Sequence, residues 1–197
     1  MRAAFGFRCS TGWTTAVTLV MDAGERPRML DRRRFELQAP EMPREVYHVA
    51  AHIDTDDGSR LIAAALDGAV AAARDGIAAV RDALPGDITD VAAGLIIGRR
   101  PPIAPHSARL SHAGMHWAEG EAYRWAVLEA ARDAGLEVTL LAEAEVADVP
   151  SILGLPEAEY GAAMRAFGAA LGPPWTQREK AAAAAAWLAL AASSAHE

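Results

Sequence analysis

The sequence predicts an α/β fold: a mixed five-stranded sheet, made of a three-strand antiparallel meander and then parallel strands, flanked by helices. Two observations carry this. Between Ala3 and Leu37 three extended runs follow one another with only turn clusters between them. From Ser59 onward, segments with apolar residues at helical spacing alternate with short apolar, β-branched runs. At 197 residues the chain suits one domain spanning 1–197, with a core at about 3–142 and a C-terminal helical segment at about 150–193.

Each element has its own warrant. Ala3 to Cys9 reads as a strand, Ser10-Thr11-Gly12 as a tight turn, and Trp13 to Val20 as a second extended run. After the Gly- and Pro-punctuated cluster Asp22 to Pro27, Arg28 to Leu37 forms a third strand, closed by Pro40 and Pro43. Tyr47 to Ile53 is open between helix and loop. A long helix begins at Asp56 to Ser59, with Ser59 able to cap it; Ile62, Leu66, Ala69, Val70, Ala73, Ile77 and Val80 repeat at helical spacing until Pro85-Gly86. Ile88 to Ile97 suits a buried central strand. Beyond a Pro-rich loop, Ser107 or Ser111 opens a second long helix that stops at Gly135, and Leu136 to Leu141 is a fifth strand. Helices are expected at Glu157 to Ala170 and, after Gly172-Pro173-Pro174, at Thr176 to Ala192. The Ala181 to Ala186 run within the last is helix-forming and small enough to pack closely on a sheet.

Composition narrows the function classes. Hydrophobic residues make up 52% and no apolar run approaches the length of a membrane span, so a soluble globular protein with no membrane role is expected. The N-terminal residues run straight into strand-like sequence and offer no signal peptide. Cys9 stands alone, which suits a reducing cytoplasm and a small core residue rather than a nucleophile. A net charge of −7 opposes broad, sequence-independent nucleic-acid binding, which needs a basic face to release counterions. The local basic groups, Arg26 to Arg34 and Arg99-Arg100, read as a solvated hairpin and loop surface.

The opening strand, Ser-Thr-Gly turn and second strand resemble the start of ribonuclease H-like nucleases, closest in outline to the Holliday-junction resolvase (RuvC-like) branch. The element order that follows resembles the rest of that core over nearly the whole chain. The resemblance implies metal carboxylates on the first strand, at the end of the fourth strand and on the last helix, where two Mg²⁺ ions activate water and stabilise the leaving oxygen. The matching positions are Arg8 or Cys9, the acid-free run Gly94-Leu95-Ile96-Ile97-Gly98-Arg99, and the segment Arg178 to Trp187, where only Glu179 is acidic. Glu179 is expected to be an exposed first-turn residue favoured by the helix dipole. A cation where a Mg²⁺ ligand belongs opposes two-metal chemistry, because Mg²⁺ needs hard anionic oxygen. The hydroxyl-rich turn Ser10 to Thr15 also resembles the phosphate-binding hairpin of sugar kinases and actin-like ATPases. Those proteins use an Asp and a second homologous domain, both missing here, so no nucleotide cofactor is expected.

Histidine placement is the other signal. His48 and His52 are four residues apart, as are His112 and His116, with Glu119 three further on and His106 in the preceding loop. On a helix such pairs share a face. Two imidazoles and a carboxylate can hold Zn²⁺ or Fe²⁺, or one imidazole can act as a general base. The proposed topology gathers the helix starts bearing these residues at the edge of the sheet where open α/β sheets place their sites. Isolated histidines also cap helices or bond loop carbonyls, so both readings stand. Trp117 and Trp125, eight apart on the second long helix, pack against the sheet or offer a homodimer face.

The sequence therefore supports two expectations. One is a ribonuclease H-like binding or assembly module whose nuclease carboxylates are lost. The alternative is a metal- or histidine-dependent hydrolase that uses His48, His52, His112, His116 and Glu119, with His112, His116 and Glu119 as the metal candidates.

Overall fold

The structure is a computed structural model that describes residues 1–22, 26–88, 90–99 and 110–193. Five strands, β1 (Arg2–Ser10), β2 (Trp13–Met21), β3 (Arg28–Glu36), β4 (Asp90–Ile97) and β5 (Val138–Ala142), form one sheet in the order β3-β2-β1-β4-β5. β1 and β2 pair antiparallel, as do β2 and β3, whereas β4 runs parallel to β1 and β5 parallel to β4. This is the mixed meander-plus-parallel sheet that the sequence predicts. The turn from β1 to β2 is tight because Gly12 takes a φ of +85°, a conformation L side chains resist.

The helices are α1 (Val46–Ala50), α2 (Thr55–Asp82), α3 (His112–Asp133), α4 (Val149–Ile152), α5 (Glu157–Leu171) and α6 (Gln177–Ser193), with a 3₁₀ turn at Glu143–Asp148. Their bounds refine the expected ones. Asp54, not Ser59, caps α2, its carboxylate accepting from the Asp56 amide at 2.9 Å; Ser59 lies inside the helix and donates to the Thr55 carbonyl. The ambiguous segment after Pro43 is the short helix α1 followed by a turn. Ser111 caps α3 by accepting from the Gly114 amide, while Ser107 and His106 lie outside the described residues. β5 starts two residues later than expected because Gly135, at φ +72°, and the Leu136 amide, bonded to the Ala131 carbonyl, still belong to the C-terminal cap of α3.

Alternation along β1 sends Phe5, Phe7 and Cys9 into a core with α2 and α3, and Ala4 into a core with α6. On the α6 side the sheet carries glycine at two paired positions, Gly6 of β1 and Gly94 of β4. A Cβ at Gly6 would sit 1.8 Å from the Ala182 carbonyl oxygen, and one at Gly94 would sit 2.1 Å from that of Ala185. The helix backbone thus lies directly on the strand backbones, and all six residues from Ala181 to Ala186 are buried. This close seat fixes where the first turn of α6 stands over the end of β1.

Candidate functional site

β1, β3 and β4 end at the same edge of the sheet, and α1, α3 and the first turn of α6 gather there. Two side-chain groups meet at this edge, one on each face. On the α6 face is Arg8, the residue before Cys9. Its guanidinium pairs with Glu143 at 2.5 Å and donates to the Cys9 carbonyl at 2.8 Å. Gln177, Arg178 and Val146 line the surrounding cleft of about 360 Å³. Arg178 donates to the Ser10 hydroxyl and lies, with Arg34, against the ring of Trp13; Arg34 is 3.9 Å from the ring centre and Arg178 4.9 Å. The place where the resemblance implied metal carboxylates is thus a cationic cleft.

The acids at this edge are committed elsewhere. Glu143 is held by Arg8. Glu179 is not the exposed residue the sequence suggested: only 7% exposed, it accepts from the Thr176 amide at 2.7 Å and the Thr176 hydroxyl at 2.5 Å, closing the start of α6. Burial alone would raise its pKa, but the bonds from Thr176 and the charge of Arg32 outweigh that and hold it below the ordinary carboxyl value of 4.5. Glu121 of α3 is the acid against the end of β4, where a Cβ on Gly98 would approach its Oε1 to 3.2 Å. It is buried and pairs with Arg124 at 2.8 Å. Each carboxylate has its own partner, so the residues present do not fit a pair of Mg²⁺ ions.

On the opposite face, α3 passes over Cys9, whose Sγ lies 3.8 Å from the Tyr123 carbonyl oxygen and 3.7 Å from Thr14 Oγ1. Burial pushes this thiol up to about 11, against the lowering effects of Thr14, Arg124 and Arg8. Two to three turns before Tyr123, the first turns of α3 meet α1. Here His48, His112 and His116 converge: their ring centres are 4.6 to 5.2 Å apart, and His112 Nε2 and His116 Nε2 are 3.1 Å apart. Glu119, 3% exposed, sits behind them, with Oε1 2.7 Å from His48 Nδ1 and Oε2 3.8 Å from His116 Nδ1. Its charge also reaches the phenols beneath. The pKa of Tyr47 is raised by burial first and by Glu119 second, and the same causes push Tyr123 up to about 12. Among the described residues this is the only group of three or more His, Cys, Asp or Glu side chains positioned to hold one metal ion.

Of the sequence candidates, His48, His112, His116 and Glu119 therefore meet, and His52 does not. α1 ends at Ala50, so His52 falls in the turn beyond it and the helical four-residue relation to His48 does not hold. Sequence reasoning missed three participants at this edge. Glu121 and Arg124 carried a local signal, the i,i+3 spacing of a helical ion pair. The Arg8–Glu143 pair spans 135 positions and carried none. The hairpin arginines also differ from a merely solvated surface: Arg32 donates to the carbonyls of Gly172 and Pro174, Arg33 to Asp31 and the Ala79 carbonyl, and Arg26 pairs with Glu159. Trp125 packs partly into the core, whereas Trp117 is 51% exposed.

The strand order, crossovers and helix placement define the class: an α/β protein with the ribonuclease H-like fold. Its outline is that of RuvC. The structure of Thermus thermophilus RuvC in complex with Holliday junction substrate superposes with a TM-score of 0.52 at 13% sequence identity, covering 95% of this chain and 91% of that one. A further Thermus thermophilus RuvC structure is 16% identical, with a TM-score of 0.48 over 94% of this chain and 91% of that one. No family model matches the sequence, and no curated protein matches it. Among the described residues no helix is long and apolar enough to cross a membrane.

Proposed function

We propose that this chain is a ribonuclease H-like protein that no longer performs two-metal hydrolysis and acts as a binding or assembly module in a reducing compartment, the cytoplasm. The observation that carries the reading is Arg8. A guanidinium paired to Glu143 stands on the first strand where hydrolysis would need an anionic metal ligand. Arg178 adds a second cation to the same cleft, and Glu179 is already engaged by Thr176. The half-exposed Trp117 is the surface this reading gives to a partner, a second copy of the chain included. Nucleic acid is not the partner it favours: net charge is −7, and several of the hairpin arginines are committed within the fold. The test is a phosphodiesterase assay with four-way DNA junctions and RNA–DNA hybrids in Mg²⁺ or Mn²⁺. No cleavage above the metal-free rate is expected; turnover abolished by Glu119→Ala or Glu179→Ala overturns the reading.

One observation favours a second reading. The meeting of three imidazoles with a buried carboxylate is an arrangement that hydrolases use, with the histidines binding a metal or taking a proton. Hydrolysis of a model ester or phosphoester, lost in His112→Ala and intact in Glu179→Ala, would decide for this hydrolase.

A further inference from the structure

Three imidazoles from two helices meet at the sheet edge, and their nitrogens, one from each ring, lie within 4.8 Å of one another. We infer that His48, His112 and His116 form a mononuclear site for a divalent first-row transition ion, Zn²⁺ the best fit, with three nitrogen ligands and a fourth position open to solvent. The inference rests on this geometry alone. It holds whether or not the chain turns over any substrate, so it and the reading above can fail separately.

Distances support it first. Two nitrogens each 2.0–2.1 Å from a tetrahedral Zn²⁺ lie about 3.3 Å apart. His112 Nε2 and His116 Nε2 are 3.1 Å apart, a separation one ion can span with little movement of either ring. Orientation supports it next. Glu119 Oε1 lies 2.7 Å from His48 Nδ1, placed to accept from it, so that in the metal-bound ring Nε2 would be the ligand; Oε2 lies on the Nδ1 side of His116, whose Nε2 points at His112. One carboxylate thus stands behind two rings and turns their Nε2 atoms outward, the arrangement by which a ligating imidazole is fixed in tautomer and direction. Glu119 is a positioning residue here and not a ligand.

Charge supports it last. A carboxylate 3% exposed, close enough to Tyr47 and Tyr123 for its charge to act on both, is costly to bury without a compensating positive charge. An ion on the far side of those rings would offset it. The positive end of α3, whose first turns carry His112 and His116, opposes a cation; with Glu119 the carboxylate against these rings among the described residues, the loaded site stays net positive, so its exchangeable fourth ligand would be an anion. Imidazole donors select Zn²⁺, Co²⁺, Ni²⁺, Cu²⁺ or Fe²⁺ over Mg²⁺ and Ca²⁺, which require oxygen. The ligands split between α1 and α3, so binding would also pin α1 to the helix start.

The experiment loads the full chain with Zn²⁺ after chelator treatment, measures stoichiometry and affinity by calorimetry, and records the visible spectrum of the Co²⁺ form. Expected are one Zn²⁺ per chain, an intense tetrahedral Co²⁺ spectrum, and no response to Mg²⁺. His48→Ala, His112→Ala and His116→Ala should each weaken Zn²⁺ binding at least a hundredfold, and Glu119→Gln about 10–100-fold. His112 and His116 are exposed, so their variants keep the fold; a Zn²⁺-dependent rise in melting temperature in the parent, lost in His112→Ala, is a readout that needs no activity. Failure of the parent to bind Zn²⁺, parent-like affinity in the His112→Ala, His116→Ala double variant, or a thiolate charge-transfer band implicating Cys9 would each overturn the assignment.

Discussion

Replacing Gly6 by alanine adds one methyl group to the middle of β1, and the structure makes its consequence large. On an ordinary strand the exchange is neutral or gains about 0.4–1 kcal/mol, because alanine has fewer unfolded conformations to lose. Here the new Cβ would lie 1.8 Å from the Ala182 carbonyl oxygen and 2.8 Å from the Ala186 amide nitrogen. Non-bonded atoms settle near 3.5 Å, so α6 must lift by roughly 1.5 Å over this strand. The obstacle is helix backbone, which no rotamer change can clear. A gap of even 0.5–1 Å forfeits a quarter to a half of the dispersion energy of the atoms involved, and the Ala181 to Ala186 stripe that loses contact is buried along its length. Overpacking of this kind typically costs 1–3 kcal/mol, and with backbone on both sides the upper end, about 3 kcal/mol, is expected. For a chain of 197 residues that is a fall in melting temperature of roughly 6–12 °C. Thermal and urea melts of Gly6→Ala, beside Gly86→Ala where no atom lies within 4 Å of the added carbon, provide the measurement. A melting temperature equal to or above the parent's would refute the close seat of α6, and with it the position of Arg178 at the end of β1.

Two further outcomes follow from the same edge. The Cys9 thiol, buried and raised to about 11, should react with iodoacetamide at pH 8 at least about a hundredfold more slowly in the folded chain than in urea; native and unfolded rates within tenfold of one another would contradict its placement. Glu179→Ala removes the side chain that closes the start of α6 and should cost about 1–2 kcal/mol at pH 7, read from urea melts. Because the folded-state pKa of Glu179 is depressed, its stabilisation is present above pH 4.5 and lost as pH falls through the lower folded value, so parent and variant stabilities should converge in acid; a gap that stays constant there would count against the capping bond.

The sheet was legible because its signals are local and redundant. Strand residues, turn glycines and helical spacing each recur within a few positions of one another, so the strands and long helices differ from expectation at their ends: Asp54 caps α2 where Ser59 was expected, since an acidic Asx cap five residues earlier competes for the same start. The Ala181 to Ala186 run announced close packing, but the Gly6–Gly94 pair that receives it depends on strand register, which the sequence does not display. Arg8, a cation at the end of the first strand, was readable from one position. Its pairing with Glu143 was not, because that partner lies 135 positions away; the withdrawal of Glu179 into a cap did carry a local signal, Thr176 three residues before it, which the expectation of an exposed first-turn acid passed over.

The histidines show where spacing fails and topology succeeds. The four-residue rule treated His48 and His52 alike with His112 and His116, yet it holds only where a helix persists. α3 continues for several turns past His116, whereas α1 stops two residues after His48. What brings His48 to the other pair is that α1 follows β3 and α3 follows β4, strands that end on one edge although β2 and β1 lie between them. Parallel ends collect residues distant in sequence whatever chemistry those residues perform. That is why one edge of this sheet can hold two unlike groups back to back: Arg8 and Arg178 on the α6 face, and three imidazoles over a buried carboxylate on the α3 face. With Cys9 the only cysteine and buried, a metal site at this edge would draw on nitrogen and oxygen donors rather than thiolates.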